Sequence, residues 1–152
     1  GLYRDITESS GIAGPMRGKG CWGASFLDYD NDGDIDILIS HVDLEATPAL
    51  LRNESGKENH WLGLTLSGPL GLSSGLGALV TVEARGKTQV AINQWSMGYL
   101  SNNDPRLHLG LGTAEKIDRL VVSWPDGEQQ TFENLETDRY LKIDKNKGLL
   151  SP

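Results

Sequence analysis

Nine consecutive residues, Asp28-Tyr29-Asp30-Asn31-Asp32-Gly33-Asp34-Ile35-Asp36, set five carboxylates at alternate positions around one glycine. In one tight loop these acids repel one another and oppose the fold that contains them. A hard cation with oxygen ligands removes that repulsion, and calcium (Ca2+) is the ion such loops take. Counted from Asp28, side chains at positions 1, 3 and 5 and a backbone carbonyl at position 7 wrap the ion, and Gly33 at position 6 permits the sharp bend. An EF-hand also needs a glutamate at position 12, where this chain has Ile39, so the shell must close on Asp36. The predicted ligands are the side chains of Asp28, Asp30, Asp32 and Asp36 and the carbonyl of Asp34. Magnesium fits less well, because it demands a rigid octahedron and keeps its waters.

Other reactive residue types are scattered. His41, His60 and His108 lack the spacing of a paired metal motif. His108 alternates with Leu107 and Leu109, which predicts a structural histidine on a strand. Cys21, the single cysteine, stands beside Trp22 and reads as a buried, inert thiol; no disulfide can form within the chain. No nucleophile elbow, P-loop or dinucleotide fingerprint occurs, so no catalytic residue is assigned and no enzyme is expected. A second ligand loop is conceivable at Tyr99, Asn102, Asn103, Asp104 and Arg106, where an aromatic ring and polar groups could meet a sugar or a peptide. The simpler reading, an Asx-type turn capping the backbone before Pro105, is preferred. Asn53-Glu54-Ser55 matches the glycosylation acceptor pattern, a triplet common by chance. Trp95 and Trp124 read as core anchors.

The elements that must position the acidic loop are strands. Trp22–Leu27 and Ile35–Ser40 alternate on either side of it, which predicts a β-hairpin, with a third strand at Pro48–Arg52 and a short one near Leu2–Ile6. Asn53–Glu58, with Gly56, marks a boundary. From His60 on, seven strand-like runs follow: 61–66, 78–84, 88–95, 106–111, 117–124, 128–133 and 140–143. Arg85-Gly86-Lys87 and Pro125-Asp126-Gly127 supply turn chemistry between them. Residues 115–118 could make one helical turn, and Lys145–Pro152 reads as a frayed tail. The organisation predicted is all-β: a hairpin repeat over 1–58, a β-sandwich or barrel-like domain over 59–145, and a tail over 146–152.

Of the 152 residues, 23% are charged and 38% hydrophobic, as in a globular protein. The net charge of -7 is uneven: residues 1–58 carry 11 acids against 5 bases, and residues 59–152 carry 10 against 9. An acidic chain without a basic stripe is a poor partner for nucleic acid. No apolar run is long enough to predict a membrane-spanning helix.

Residues 23–36 resemble an FG-GAP (VCBS-type) repeat, the blade unit of integrin-like β-propellers, and Tyr3–Thr7 with Ser10-Gly11-Ile12 fit its lead-in. Residues 59–143 are similar to the ASPIC/UnbV domain found after such repeats. That match rests on Asn59-His60-Trp61-Leu62, Gly75-Leu76-Gly77-Ala78, Gly98-Tyr99-Leu100-Ser101, Asn103-Asp104-Pro105, His108–Gly112 and Trp124-Pro125-Asp126-Gly127. The resemblance implies calcium binding, secretion to the cell surface, matrix or periplasm, and an adhesion role with a protein or glycan partner. It implies no settled activity for the second domain. A propeller needs about four to eight blades and one repeat is present. The chain is then the end of a longer propeller (the favoured reading), a subunit that completes its sheet with a neighbour, or a blade docked on its own second domain. An open blade edge would also allow self-association into an extracellular assembly or filament by strand addition, and a polysaccharide-binding accessory domain is the further alternative.

Overall fold

The computed structural model describes residues 2–43, 45–55, 58–68, 75–99 and 101–150. Gly56, Leu100, Ser151 and Pro152, which figure in the expectations above, lie outside them. The fold is all-β, with no closed barrel among the described residues, and its larger part is sandwich-like.

The acidic loop joins β1 (Cys21–Leu27) to β2 (Asp36–His41), an antiparallel hairpin as the alternation predicts. A third strand, β3 (Ala49–Leu51), pairs with β2 and completes a small sheet of order β1-β2-β3. No strand forms at residues 2–6: Leu2 and Tyr3 are fully exposed, so nothing repays ordering an extended backbone there. The lead-in instead carries one short helix, α1 (Ala13–Met16).

Two four-stranded sheets form the sandwich. One, of order β11-β10-β5-β6, comprises β5 (Leu79–Ala84), β6 (Lys87–Ile92), β10 (Lys116–Ser123) and β11 (Gln129–Glu136). The other, of order β13-β12-β4-β9, comprises β4 (His60–Ser67), β9 (Leu107–Gly112), β12 (Arg139–Asp144) and β13 (Gly148–Leu150). A two-stranded ribbon, β7 (Ser96–Gly98) with β8 (Ser101–Asn102), lies against β1. Leu62, Leu64, Leu66 and Ile143 from one sheet meet Val80, Val82, Ile117, Leu120 and Val122 from the other in a fully buried core. Each such side chain contributes about 1.5–3 kcal/mol of burial. The β5–β6 hairpin turns at Arg85 and Gly86, both in the left-handed region, which is the geometry a two-residue hairpin loop needs.

Several expectations need correction. Residues 116–118 begin β10 rather than a helical turn, because Ile117 is required in the core. The expected tail contains β13, whose residues 148–150 pair with β12. The strand expected to reach Trp95 stops at Ile92; Trp124 is buried, but Trp95 is only partly so. Cys21 is exposed, since it opens β1 beside a register irregularity at the rim of the small sheet.

A single parallel pairing, β4 with β12, sits in the second sheet, flanked by the antiparallel pairing of β4 with β9. Its register sets Tyr140 and His108 on either side of Gly63. Residues directly opposite share a face, so this row lies on the side away from the core. The acidic loop docks on that side.

Candidate cation site

Asp28 directly follows β1 and Asp36 opens β2, so the hairpin itself brings the two ends of the loop together. Both are buried, at 1% and 0% exposure, and each carboxylate organises backbone. Asp28 Oδ1 accepts from the Asp32 amide at 3.1 Å, and its Oδ2 from the Gly33 amide at 3.1 Å. Asp36 Oδ2 accepts from the Tyr29 amide at 3.0 Å, and its Oδ1 from the Asn53 amide at 2.7 Å. Asn31 (φ 60°) and Gly33 (φ 93°) take the left-handed turns that these closures need.

Asp30 differs. Its two carboxylate oxygens are buried with no hydrogen-bond donor among the described residues. Arg52 Nη2 stands 2.6 Å from Asp30 Oδ2, but outside hydrogen-bonding alignment. The same guanidinium reaches Asp32 at 3.9 Å and bonds Glu54 at 2.8 Å. Carboxylate oxygens of Asp28, Asp30 and Asp36 fall within 4.8 Å of one another. Three buried or half-buried anions in one small volume, one lacking donors, fit a hard cation: each supplies the oxygen that such an ion takes. Of the five predicted residues, the structure thus brings three together. Asp32 turns its Oδ1 to the Asp34 amide, and Asp32 and Asp34 line a separate crevice with His60 and Asp138.

The sandwich meets this loop through residues remote in sequence. The Tyr140 hydroxyl donates to Asp28 Oδ2 at 2.6 Å. Burial, and then the bond to Asp28, push the phenol pKa well above its ordinary value, so it stays a donor. Arg106 Nη2 donates to the Asp28 carbonyl at 2.9 Å, and Nη1 to Asn31 Oδ1 at 2.6 Å. Hydrogen bonds donated to Asp104 hold the guanidinium charged, with its pKa raised further, and it lies 4.3 Å over the Tyr140 ring. Trp61 packs edge-on to Tyr140 and stacks on His108. Burial lowers the His108 pKa, so the imidazole is neutral at pH 7.

Residues 102–106, the conceivable second ligand loop, are spent largely on this docking. Asn103 Oδ1 accepts from the Phe26 amide, the Asp104 amide donates to the Phe26 carbonyl, and the Asn102 carbonyl accepts from Ser25. Asp104 also caps the Arg106 amide at 2.9 Å, the Asx-type turn the sequence favours. Tyr99 stays exposed and stacks on Trp22. A cleft of about 380 Å³ remains between small sheet and sandwich, lined by Phe26, Ile35, Ile92, Asp104 and His108. At the other end of the small sheet, Cys21 Sγ lies 3.7 Å from His41 Nδ1, a proximity that no spacing in the sequence signals. His41 Nε2 has no partner among the described residues, so the pair lacks the orienting third group of a nucleophilic triad. Tyr140 and Trp61 were also missed by sequence reasoning, because nothing local marks a strand residue as the neighbour of a loop 112 positions away.

A family model described as ASPIC and UnbV matches residues 69–149. The chain is 31% identical over 119 residues to cartilage acidic protein 1 of Xenopus tropicalis, covering 78% of this chain and 18% of that protein. It is 30% identical over 128 residues to the proteins of the same name from Mus musculus and Homo sapiens, covering 84% of this chain and 19% of each. The chain therefore spans less than a fifth of the length of these relatives.

Proposed function

The chain belongs to the ASPIC and UnbV family, and from that premise we propose that it is a calcium-stabilised, extracellular binding module that works without catalysis. The observation that carries this reading is the buried convergence of Asp28, Asp30 and Asp36, with the Asp30 oxygens lacking donors. Residues 1–58 act as an FG-GAP/VCBS-type repeat in which the ion neutralises the loop and pins the β1–β2 turn. Asp28, Asp30 and Asp36 hold the ion, and Asp32 and Asp34 complete the loop around it. An ion bound only by the folded form adds stability as RT ln(1 + [L]/Kd), about 2.7 kcal/mol at a hundredfold excess over Kd.

Secretion is supported by the relatives, whose name places them in cartilage, and millimolar extracellular calcium suffices for modules of modest affinity. The small sheet supplies the surface for a protein or glycan partner. Trp22 and Phe26 on β1, Leu38 on β2 and Leu50 on β3 are all exposed, and Trp22 is paired with Tyr99. Leu38 and Leu50 are directly paired and so share one face of the sheet, an exposed apolar spot of the kind that meets a partner.

The deciding experiment is a thermal melt in excess EDTA against a calcium titration, with Asp30→Ala as control. The midpoint should climb with calcium in the wild type and stay flat in the variant. A wild-type midpoint indifferent to calcium would sink the reading.

A further inference from the structure

We propose that the cation site belongs to both parts of the chain: Tyr140 and Arg106 of the sandwich are positioning residues for Asp28, so binding the ion and docking the loop on the sandwich are one linked event. This rests on the calcium reading above. Asp28 is held on three sides, and only one of them is its own loop. The loop amides of Asp32 and Gly33 bond its carboxylate, the Tyr140 hydroxyl bonds Oδ2, and Arg106 bonds its carbonyl.

Each group arriving from the sandwich is itself fixed. Arg106 is clamped by Asp104, with Nε 3.0 Å from Oδ1 and 2.9 Å from Oδ2. Tyr140 lies over Gly63 so closely that a Cβ there would stand 2.1 Å from its ring. Trp61 packs against the ring from the side and presses on the loop at Gly33.

The electrostatics favour a positioning role over charge supply. Arg106 is neutralised by Asp104, and Tyr140 is an uncharged phenol, so the sandwich orients the Asp28 carboxylate without cancelling the charge that the ion needs. Outer hydrogen bonds of this kind typically set metal affinity by about 10–100-fold. Linkage makes the effect reciprocal: whatever factor docking adds to ion affinity, the ion adds to docking.

The test uses the full chain and terbium, an oxygen-seeking calcium probe, with calcium competition for the affinity. The Trp61 indole lies against the loop and serves as antenna. Four proteins are titrated: wild type, Asp30→Ala, Tyr140→Phe and Arg106→Lys. Amide exchange at Asp104, which donates to the Phe26 carbonyl across the docking surface, is followed with and without ion.

The expectation is binding by wild type, none by Asp30→Ala, and affinity about tenfold or more weaker in Tyr140→Phe and Arg106→Lys. The ion should slow Asp104 exchange in wild type and not in Asp30→Ala. If wild type binds no ion, the calcium reading falls and this inference with it. If wild type binds, Asp30→Ala does not, and both sandwich variants stay within twofold of wild type, only this inference is overturned. A Tyr140→Phe protein that melts lower without ion yet binds it normally would equally overturn it, since Tyr140 would then be structural alone.

Discussion

Trp61 occupies the space that a side chain at position 33 would need: a Cβ on Gly33 would stand 2.0 Å from the indole Nε1. Gly33 is also held at φ 93°, where an L side chain is strained. Both conditions meet at the bend of the acidic loop. Gly33→Ala should therefore cost roughly 2–4 kcal/mol, the sum of backbone strain and overpacking. Urea denaturation would measure it, and a loss below about 1 kcal/mol would show that the loop is not seated against Trp61.

Arg52 is the positive charge that faces Asp30. Its side chain is half-exposed, so the pair is screened and contributes about 1 kcal/mol or less. Arg52→Gln should lower the midpoint in EDTA slightly and widen the rise on adding calcium, because a competing cation has been removed. Calorimetric melts with and without calcium would read both changes; an unchanged calcium response would mean that Arg52 and the ion do not share Asp30.

His108 supplies a pH dependence. Burial lowers its pKa below the ordinary 6.5, so folding favours the neutral ring. Its contribution is fully present above pH 6.5 and is lost as pH falls through the folded value. Hydrogen bonds from His60, the Trp61 amide and Thr137 outweigh burial and lower Asp138, and a hydrogen bond from Ser67 lowers Asp144. Those carboxylates contribute stability above the ordinary 3.8 that is lost only at more acid pH. Urea midpoints at pH 7.5 and 5.0 should therefore differ in wild type, and the gap should shrink in His108→Gln.

The family match begins at residue 69, after β4 has ended. Yet β4 is an interior strand of its sheet and supplies the fully buried Leu62, Leu64 and Leu66. A protein comprising residues 69–150 would leave β12 and β9 with no strand between them. Such a fragment should be unfolded by circular dichroism and show no cooperative melt; a two-state transition would refute the role given to β4.

The sequence was legible where structure is local. The bend at Gly33, flanking strand periodicity and the Pro125-Asp126-Gly127 turn each depend on neighbours within a few positions, and each formed as expected. The reading failed where distant residues decide. Cys21 was judged by its neighbour Trp22, but both lie exposed on β1. The run at Gly148–Leu150 is too short to read as a strand until β12 offers it an edge. The loop at 102–106 forms the Asx-type turn that the sequence favours, but its partners Ser25, Phe26 and Asn31, more than 70 positions away, leave no local signal.

The parallel pairing of β4 with β12 also fixes an order of events. Residues 60–67 must wait for residues 139–144, which follow β5 to β11 in the chain, and such non-local pairings close slowly. Tyr140 lies on β12, so the acidic loop, though it precedes the sandwich in the chain, reaches its seat only after β12 has been made. Completion of the site thus reports that the sandwich has closed behind it.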